Sequence, residues 1–283
     1  MENVRTAIRN ALLTADPISK IKAARQVARD WRLGRLSGDG DVPMPDRPAR
    51  PAHPELLPPR LMPRRRGGSK QAQVAMLHAL AHIEFVAIDL ALDMAGRFGA
   101  DQPAEFTDDF LSVAADEAMH FALLERRLNQ LGSHYGAFAA HDGLWEAAES
   151  TCDDVLARLA IVPMVLEARG LDVCPFTISR FSALGDATTV RIVTRILDDE
   201  VRHVALGAKW FNLLCESRAL SPANHWKNLV KSRFRGALKP PFNDSARGVC
   251  RFNPRLLSAA CFSRPRRAVT LITDVPAKRV GKR

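Results

Sequence analysis

The sequence predicts an all-α fold: a four-helix bundle, an extended Pro/Arg-rich N-terminal segment and a basic C-terminal segment, part helical and part irregular. Three observations predict it. From about residue 71 to 216 the chain is rich in Ala and Leu at helical spacing, with no alternating β-type run. Gly and Pro fall between the periodic stretches, where helices stop. Finally, Glu117-Ala-Met-His120 and Glu200-Val-Arg-His203 each set a carboxylate and an imidazole three residues apart. Positions i and i+3 share a helix face, so each pair converges on one point.

Residues 3–36 read as one or two short amphipathic helices. Residues 37–68 form a connector with Pro43, Pro45, Pro48, Pro51, Pro54, Pro58, Pro59 and Pro63, ending in Arg64-Arg65-Arg66-Gly67-Gly68. Proline lacks the N–H that a ladder needs, so this stretch is expected to lie extended over the surface. The first bundle helix is expected over Gln71–Phe98, stopping before Gly99 and Pro103. A second spans Ala104–Gln130 and stops at Leu131-Gly132. A third runs from Leu144 to Arg169, bent at Pro163 and closed by Gly170. A shorter piece covers Thr177–Leu184, and the fourth bundle helix covers Asp186–Cys215. The loop at residues 132–143 reaches about 40 Å when extended, enough to cross one end of a bundle. The expected domain scheme is 1–70 for the N-terminal helices and connector, 71–217 for the bundle and 218–283 for the basic extension.

Charge is unevenly distributed along the chain. The net charge is +10, but residues 1–70 carry +8, residues 218–283 carry +14 and residues 71–217 carry −12. Basic flanks of this kind meet nucleic acid, anionic lipid or the acidic middle of their own chain. The last is the plainer expectation, because no basic platform interleaved with aromatics is visible and aromatics make up only 6%. No run of about eighteen apolar residues argues for a membrane span. Met1-Glu-Asn-Val-Arg-Thr6 opens no apolar signal region. Five widely spaced cysteines without a CxxC fit a reducing, cytoplasmic location and exclude a zinc or disulfide framework. Arg65–Lys70 lacks P-loop spacing, and no G-x-S-x-G elbow occurs.

The chemistry lies in the acids on apolar stripes. Glu117 and His120 sit among Val113, Leu124 and Leu128, and Glu200 and His203 among Ile196 and Trp210. Glu84 shares a stripe with Leu77, Ala81, Ile88 and Ala91, and Glu167 one with Leu156, Ala160 and Pro163. A carboxylate turned toward a core costs several kcal/mol, roughly, unless it is paired, protonated or bound to metal. The order Glu, Glu-x-x-His, Glu, Glu-x-x-His is the inventory of a di-iron or di-manganese carboxylate site in a four-helix bundle. Four carboxylates and two neutral imidazoles balance two divalent ions, and carboxylates can bridge them. The expected metal ligands are therefore Glu84, Glu117, His120, Glu167, Glu200 and His203, holding two Fe ions, with Mn or a mixed Fe/Mn pair fitting the same set. His78 and His82 lie on another face and are expected to support or pack. Asp116, Asp198 and Asp199 are candidates to hold a ligand imidazole by its free nitrogen. His134 and His141 are expected at the surface of the crossover loop, and Cys174 as a buried structural thiol.

Several of these stretches, taken together, resemble a known family. His78-Ala-Leu-Ala-His-Ile-Glu84, Asp116-Glu-Ala-Met-His-Phe121, Ala140-His-Asp-Gly-Leu-Trp145, Leu166-Glu-Ala-Arg-Gly-Leu-Asp172 and Asp199-Glu-Val-Arg-His-Val204 resemble the bacterial DUF455 family. The resemblance covers roughly residues 5–247, through Pro240-Pro-Phe-Asn-Asp-Ser-Ala-Arg247. It implies a ferritin-like bundle of the di-iron carboxylate type, and it extends more distantly to di-iron tRNA hydroxylases. Beyond Val249 no resemblance is found.

A di-iron site with an open position is expected to use O₂ to oxidise a small-molecule substrate, drawing on an electron donor. Ferroxidase or iron-handling chemistry uses the same ligands, but long flanks argue against packing into a shell. A tRNA-modifying hydroxylase would use the basic flanks, without support from a motif. A radical-generating subunit needs a tyrosine near the metals, and the single tyrosine, Tyr135, is expected in the crossover loop rather than on a bundle face.

Overall fold

A computed structural model describes residues 1–38, 40–63 and 69–249. The basic tail with Cys250 and Cys261, and the Arg64–Gly68 end of the connector, lie outside the described residues. Among the described residues the fold is all-α, its strand content limited to a two-residue parallel pairing between β1 (Glu2–Asn3) and β2 (Leu36–Ser37) and an isolated bridge between Leu56 and Ala140. Helix α1 covers Val4–Leu12 and α2 Pro17–Arg32. Asn3 and Asp16 start them by accepting from the backbone N–H groups of Arg5 and Ser19 at 2.7 and 2.8 Å. Both helices pack on the long bundle helices, and one continuous apolar core runs from Val4 to Val230.

Helix α3 (Lys70–Phe98) and α4 (Ala104–Gln130) form a tightly packed pair. Ser69 caps α3, and the chain leaves it at Gly99 as expected. By length and composition α3 could cross a membrane, but most of it is buried inside the protein. Its interior acids are paired: Asp89 with Lys20 (2.6 Å) and Arg50, and Asp93 with Arg158 (2.5 Å) and Arg97 (2.8 Å).

The third expected helix is divided. Helix α5 (Gly143–Glu149) ends well before α6 (Val155–Ile161), and Asp154 restarts the chain by accepting from the N–H of Leu156 at 2.8 Å. At Pro163 the helix widens into a π-helical segment, Val162–Glu167, and then continues as α7 (Ala168–Ala183). Proline supplies no N–H and its ring crowds the preceding turn, which a wide turn relieves. Gly170 does not close the helix, contrary to expectation. Pro175 inside α7 takes a donor from the carbonyl of Leu171, and the side-chain amide of Asn243 replaces it at 3.1 Å. A residue far along the chain thus lets the helix run on and absorb the piece expected at Thr177–Leu184.

Helix α8 (Ala187–Ser217), capped by Asp186, packs on α7, α6, the π-helical segment and α4. At Gly207 a Cβ would fall 2.4 Å from Pro163 Cβ, so only glycine lets α8 approach the widened turn. Helices α9 (Pro222–Arg233) and α10 (Asp244–Val249) complete the described chain.

The basic flanks grip the acidic middle. Lys20 and Arg50 hold Asp89, Arg47 holds Asp142 and Glu149, Arg233 holds Asp153, and Arg247 holds Asp172. The connector also pairs backbone to backbone with the crossover loop: Leu57 N–H donates to Ala140 O at 2.8 Å, and Ala140 N–H to Glu55 O at 2.9 Å.

Candidate metal centre

Three helices and the π-helical segment deliver the six expected side chains. Helix α3 carries Glu84, α4 carries Glu117 and His120, and α8 carries Glu200 and His203. Glu167 closes the π-helical segment. The structure gathers five of them into two buried groups, Glu84–Glu117–His120 and Glu117–Glu200–His203, each with ligand-type atoms within 4.8 Å of one another. Glu117 belongs to both. Glu167 joins neither at that distance; it is half-buried, and the charges of Glu117 and His203 act on its carboxyl.

Both imidazoles turn Nδ1 inward. His120 Nδ1 lies 3.2 Å from Glu84 Oε2 and 3.2 Å from Glu117 Oε2, and His203 Nδ1 lies 2.9 Å from Glu117 Oε1 and 3.8 Å from Glu200 Oε2. Each Nε2 faces outward to an aspartate on the opposite helix: His120 to Asp199 at 3.0 Å, His203 to Asp116 at 3.3 Å. Adjacent helix positions point about 100° apart, so Asp116 and Asp199 aim past the cluster that their neighbours Glu117 and Glu200 enter. Arg195 donates to Asp199 at 2.6 Å and Arg202 pairs with Asp116. Two of the three candidate aspartates thus hold an imidazole; Asp198 is exposed.

The electrostatics test whether cations suit this cluster. Burial, then the charge of Glu117, raises the Glu84 carboxyl to about 8. The same two causes raise Glu167 to about 7 and Glu200 well above the carboxylate range. Burial opposes charge on His120, but its bonds to Glu117 and Glu84 outweigh this and push it up to about 12. His203 is raised in the same sense, with burial overcome chiefly by Glu117. Glu117 is driven low: burial is outweighed by His203 and His120 on either side. Three of four carboxyls are therefore held above their ordinary values, as in a cluster short of positive charge. In addition, Glu200 Oε2 is buried without a hydrogen-bond partner, and Glu117 Oε1 and His203 Nδ1 have no polar neighbour in good hydrogen-bond geometry beyond their own 2.9 Å ion pair. Their donor chemistry and unmet polar atoms fit divalent metal ions.

Neighbouring residues correct several expectations. Tyr135 lies in the crossover loop, but its side chain is buried on the bundle: its ring meets Phe85 and Phe121 at 5.2 and 5.0 Å, and its hydroxyl meets His82 Nδ1 at 2.9 Å. His82 Nε2 in turn meets the His141 carbonyl at 3.1 Å, so Nε2 donates and Nδ1 accepts from the phenol. His78 Nε2 accepts from Gly136 N–H at 2.9 Å. His78 and His82 therefore anchor the crossover loop to α3. His141 is buried rather than at the surface, while His134 is exposed as expected. Loop residues 132–142 give no periodicity from which burial could be read; only Tyr135 and Phe138 among the histidines hint at it. Cys174 is buried, its thiol raised by burial and then by the charges of Glu200 and Glu84.

The model of one protein family, described as "Protein of unknown function (DUF455)", matches residues 13–258. A Haemophilus influenzae protein described as "Uncharacterized protein" is 40% identical over 234 residues, covering 79% of this chain and 81% of that protein. No solved structure matches.

Proposed function

The chain belongs to the DUF455 family, and we propose that its buried acids and imidazoles form a two-metal carboxylate centre in a ferritin-like four-helix bundle. The centre takes two Fe ions, or Mn or a mixed pair, and serves an O₂-dependent oxidase or hydroxylase acting on a small molecule. One observation carries this reading: Glu117 stands between two histidines, and each histidine is held from behind by an aspartate of the other helix.

Bound iron would supply the redox chemistry that oxidises an unreactive C–H bond with O₂. The residues supply everything else. Glu84 and His120 would hold one ion, Glu200 and His203 the other, with Glu117 between them and Glu167 completing the set. Asp199 and Asp116 keep a proton on each Nε2, so each Nδ1, once its own proton is displaced, would present its lone pair inward. Glu84 and Glu167, raised toward neutral pH, give up protons as cations enter. The apolar walls around Glu117 and His120 exclude water, which strengthens every charge interaction inside.

Anaerobic titration with Fe(II), then exposure to air, tests the proposal. About two ions per chain are expected, with the near-ultraviolet absorption of a carboxylate-bridged ferric pair. Glu117→Ala should lose both signals, and retention of metal and absorption would sink the assignment. Mass spectrometry of small molecules carried by the purified protein addresses the substrate. A hollow-shell assembly in size-exclusion chromatography would instead favour iron storage, and steeply salt-dependent tRNA binding a tRNA-modifying role.

A further inference from the structure

Helix α2 buries Lys20, Ile21, Ala24 and Val27 against the core and turns its other side to solvent. At about 100° per residue, Ile18, Lys22, Arg25, Arg29 and Arg32 fall within one arc of about 80°. Leu33 extends the arc at the C-cap. All six are exposed, Ile18 by 49% and Leu33 by 54%. No acidic residue falls in this arc.

Other cations of the N-terminal flank are engaged by acids: Lys20 and Arg50 by Asp89, Arg47 by Asp142 and Glu149, Arg35 by Asp30. Lys22, Arg25, Arg29 and Arg32 form no ion pair among the described residues, and Arg29 donates to the neutral Gln26 amide. Asp16 and Asp30, beside the stripe, accept from Ser19 and from Gln26 and Arg35. The four cations follow one another at i+3, i+4 and i+3, where like charges oppose a helix. The fold therefore leaves a row of cations unneutralised, with a large apolar side chain half-exposed at each end.

A partner that suits this face is anionic and also receives apolar groups. The phosphate backbone of a nucleic acid answers the cations but offers nothing to Ile18 and Leu33. No aromatic side chain lies in the arc to stack on bases, and the Trp31 indole N–H is taken by Asp108. An anionic bilayer answers both, its headgroups meeting the cations and its acyl boundary the two apolar ends. Ile18 and Leu33 stand about 22 Å apart along the helix, so α2 would lie along the membrane plane. The contact is peripheral, since α3, the helix with the composition of a membrane span, is mostly buried inside the protein.

We propose that the outer face of α2 is a membrane-docking surface for an anionic phospholipid bilayer, with Lys22, Arg25, Arg29 and Arg32 at the headgroup phosphates and Ile18 and Leu33 at the acyl boundary. It is independent of the two-metal reading.

Sedimentation of the full-length protein with vesicles of phosphatidylcholine, with and without phosphatidylglycerol, tests this. Residues 218–283 carry +14 and are a second source of vesicle affinity, so the deciding quantity is the loss on changing α2 alone. Wild type should bind the anionic vesicles, weaken steeply with salt and ignore the neutral ones. Each cation replaced by Gln should weaken binding about fivefold, and all four together several hundredfold. Ile18→Ser with Leu33→Ser should weaken it about tenfold while the salt dependence stays. If the fourfold variant fails to fold, Arg25→Gln with Arg29→Gln, expected to weaken binding about 25-fold, decides. No binding by wild type overturns the proposal, as does undiminished binding by either the charge or the apolar variant. Duplex RNA that binds wild type and displaces it from vesicles, with binding lost in the charge variant and kept in the apolar one, would overturn it in favour of nucleic acid.

Discussion

His203 is held between two consecutive residues of another helix: Asp116 Oδ2 lies 3.3 Å from its Nε2, and Glu117 Oε1 lies 2.9 Å from its Nδ1. His120 has the matching relationship with Asp199, at 3.0 Å. The two helices are cross-braced through their histidines, with each Nε2 toward an aspartate and each Nδ1 toward the glutamates.

Asp116→Asn and Asp199→Asn should each weaken metal binding about 10–100-fold, because the amide holds the ring but no longer favours the required tautomer. Chelator competition measures this. Arg195→Ala and Arg202→Ala should change it far less, since both guanidinium groups are partly exposed and screened.

The metal-free protein should lose stability as pH rises from about 5 to 8. Glu84 and Glu167 titrate near 8 and 7 when folded, above their ordinary values, and His120 near 12. Over this window the folded state binds more protons than the unfolded state, so raising pH favours unfolding. The lowered carboxyl of Glu117 titrates below the window. Metal ions replace those protons, so the gain in Tm on metal addition should widen with pH. Melting curves with and without chelator check both halves.

Asp89→Ala should cost about 3–5 kcal/mol, because it leaves the fully buried Lys20 and the largely buried Arg50 without their shared partner. Lys20→Met should cost much less, since Arg50 still neutralises Asp89. Urea unfolding of the two variants compares them.

Gly207→Ala should destabilise by about 1–3 kcal/mol, as the added carbon falls within 2.4 Å of Pro163 and forces α8 away. Because Pro163 opens the π-helical segment that ends in Glu167, metal uptake should fall as well as Tm. Full metal uptake at a lowered Tm would show that the segment tolerates the shift.

Much of the fold is legible along the chain. Helices α3 and α4 lie where periodicity and the Gly99 and Gly132 stops predict them, because those signals are local. Gly170 reads as a stop because the donor that rescues the helix after it, Asn243, comes from a segment about seventy residues away that no local pattern connects to it. Tyr135 and His141 read as peripheral because a loop has no periodicity to mark its buried side.

The sequence by itself determined the chemical inventory: which acids and imidazoles share a helix face, and hence that a carboxylate–histidine cluster was available. That inventory comes from the helical repeat alone. Only the tertiary structure decided that Glu117 is shared between the histidines, that each aspartate holds the histidine of the opposite helix, and that Glu167 stands apart from both groups. Those outcomes depend on how α4, α8 and the π-helical segment pack together, and packing is set by contacts between residues far apart in the chain.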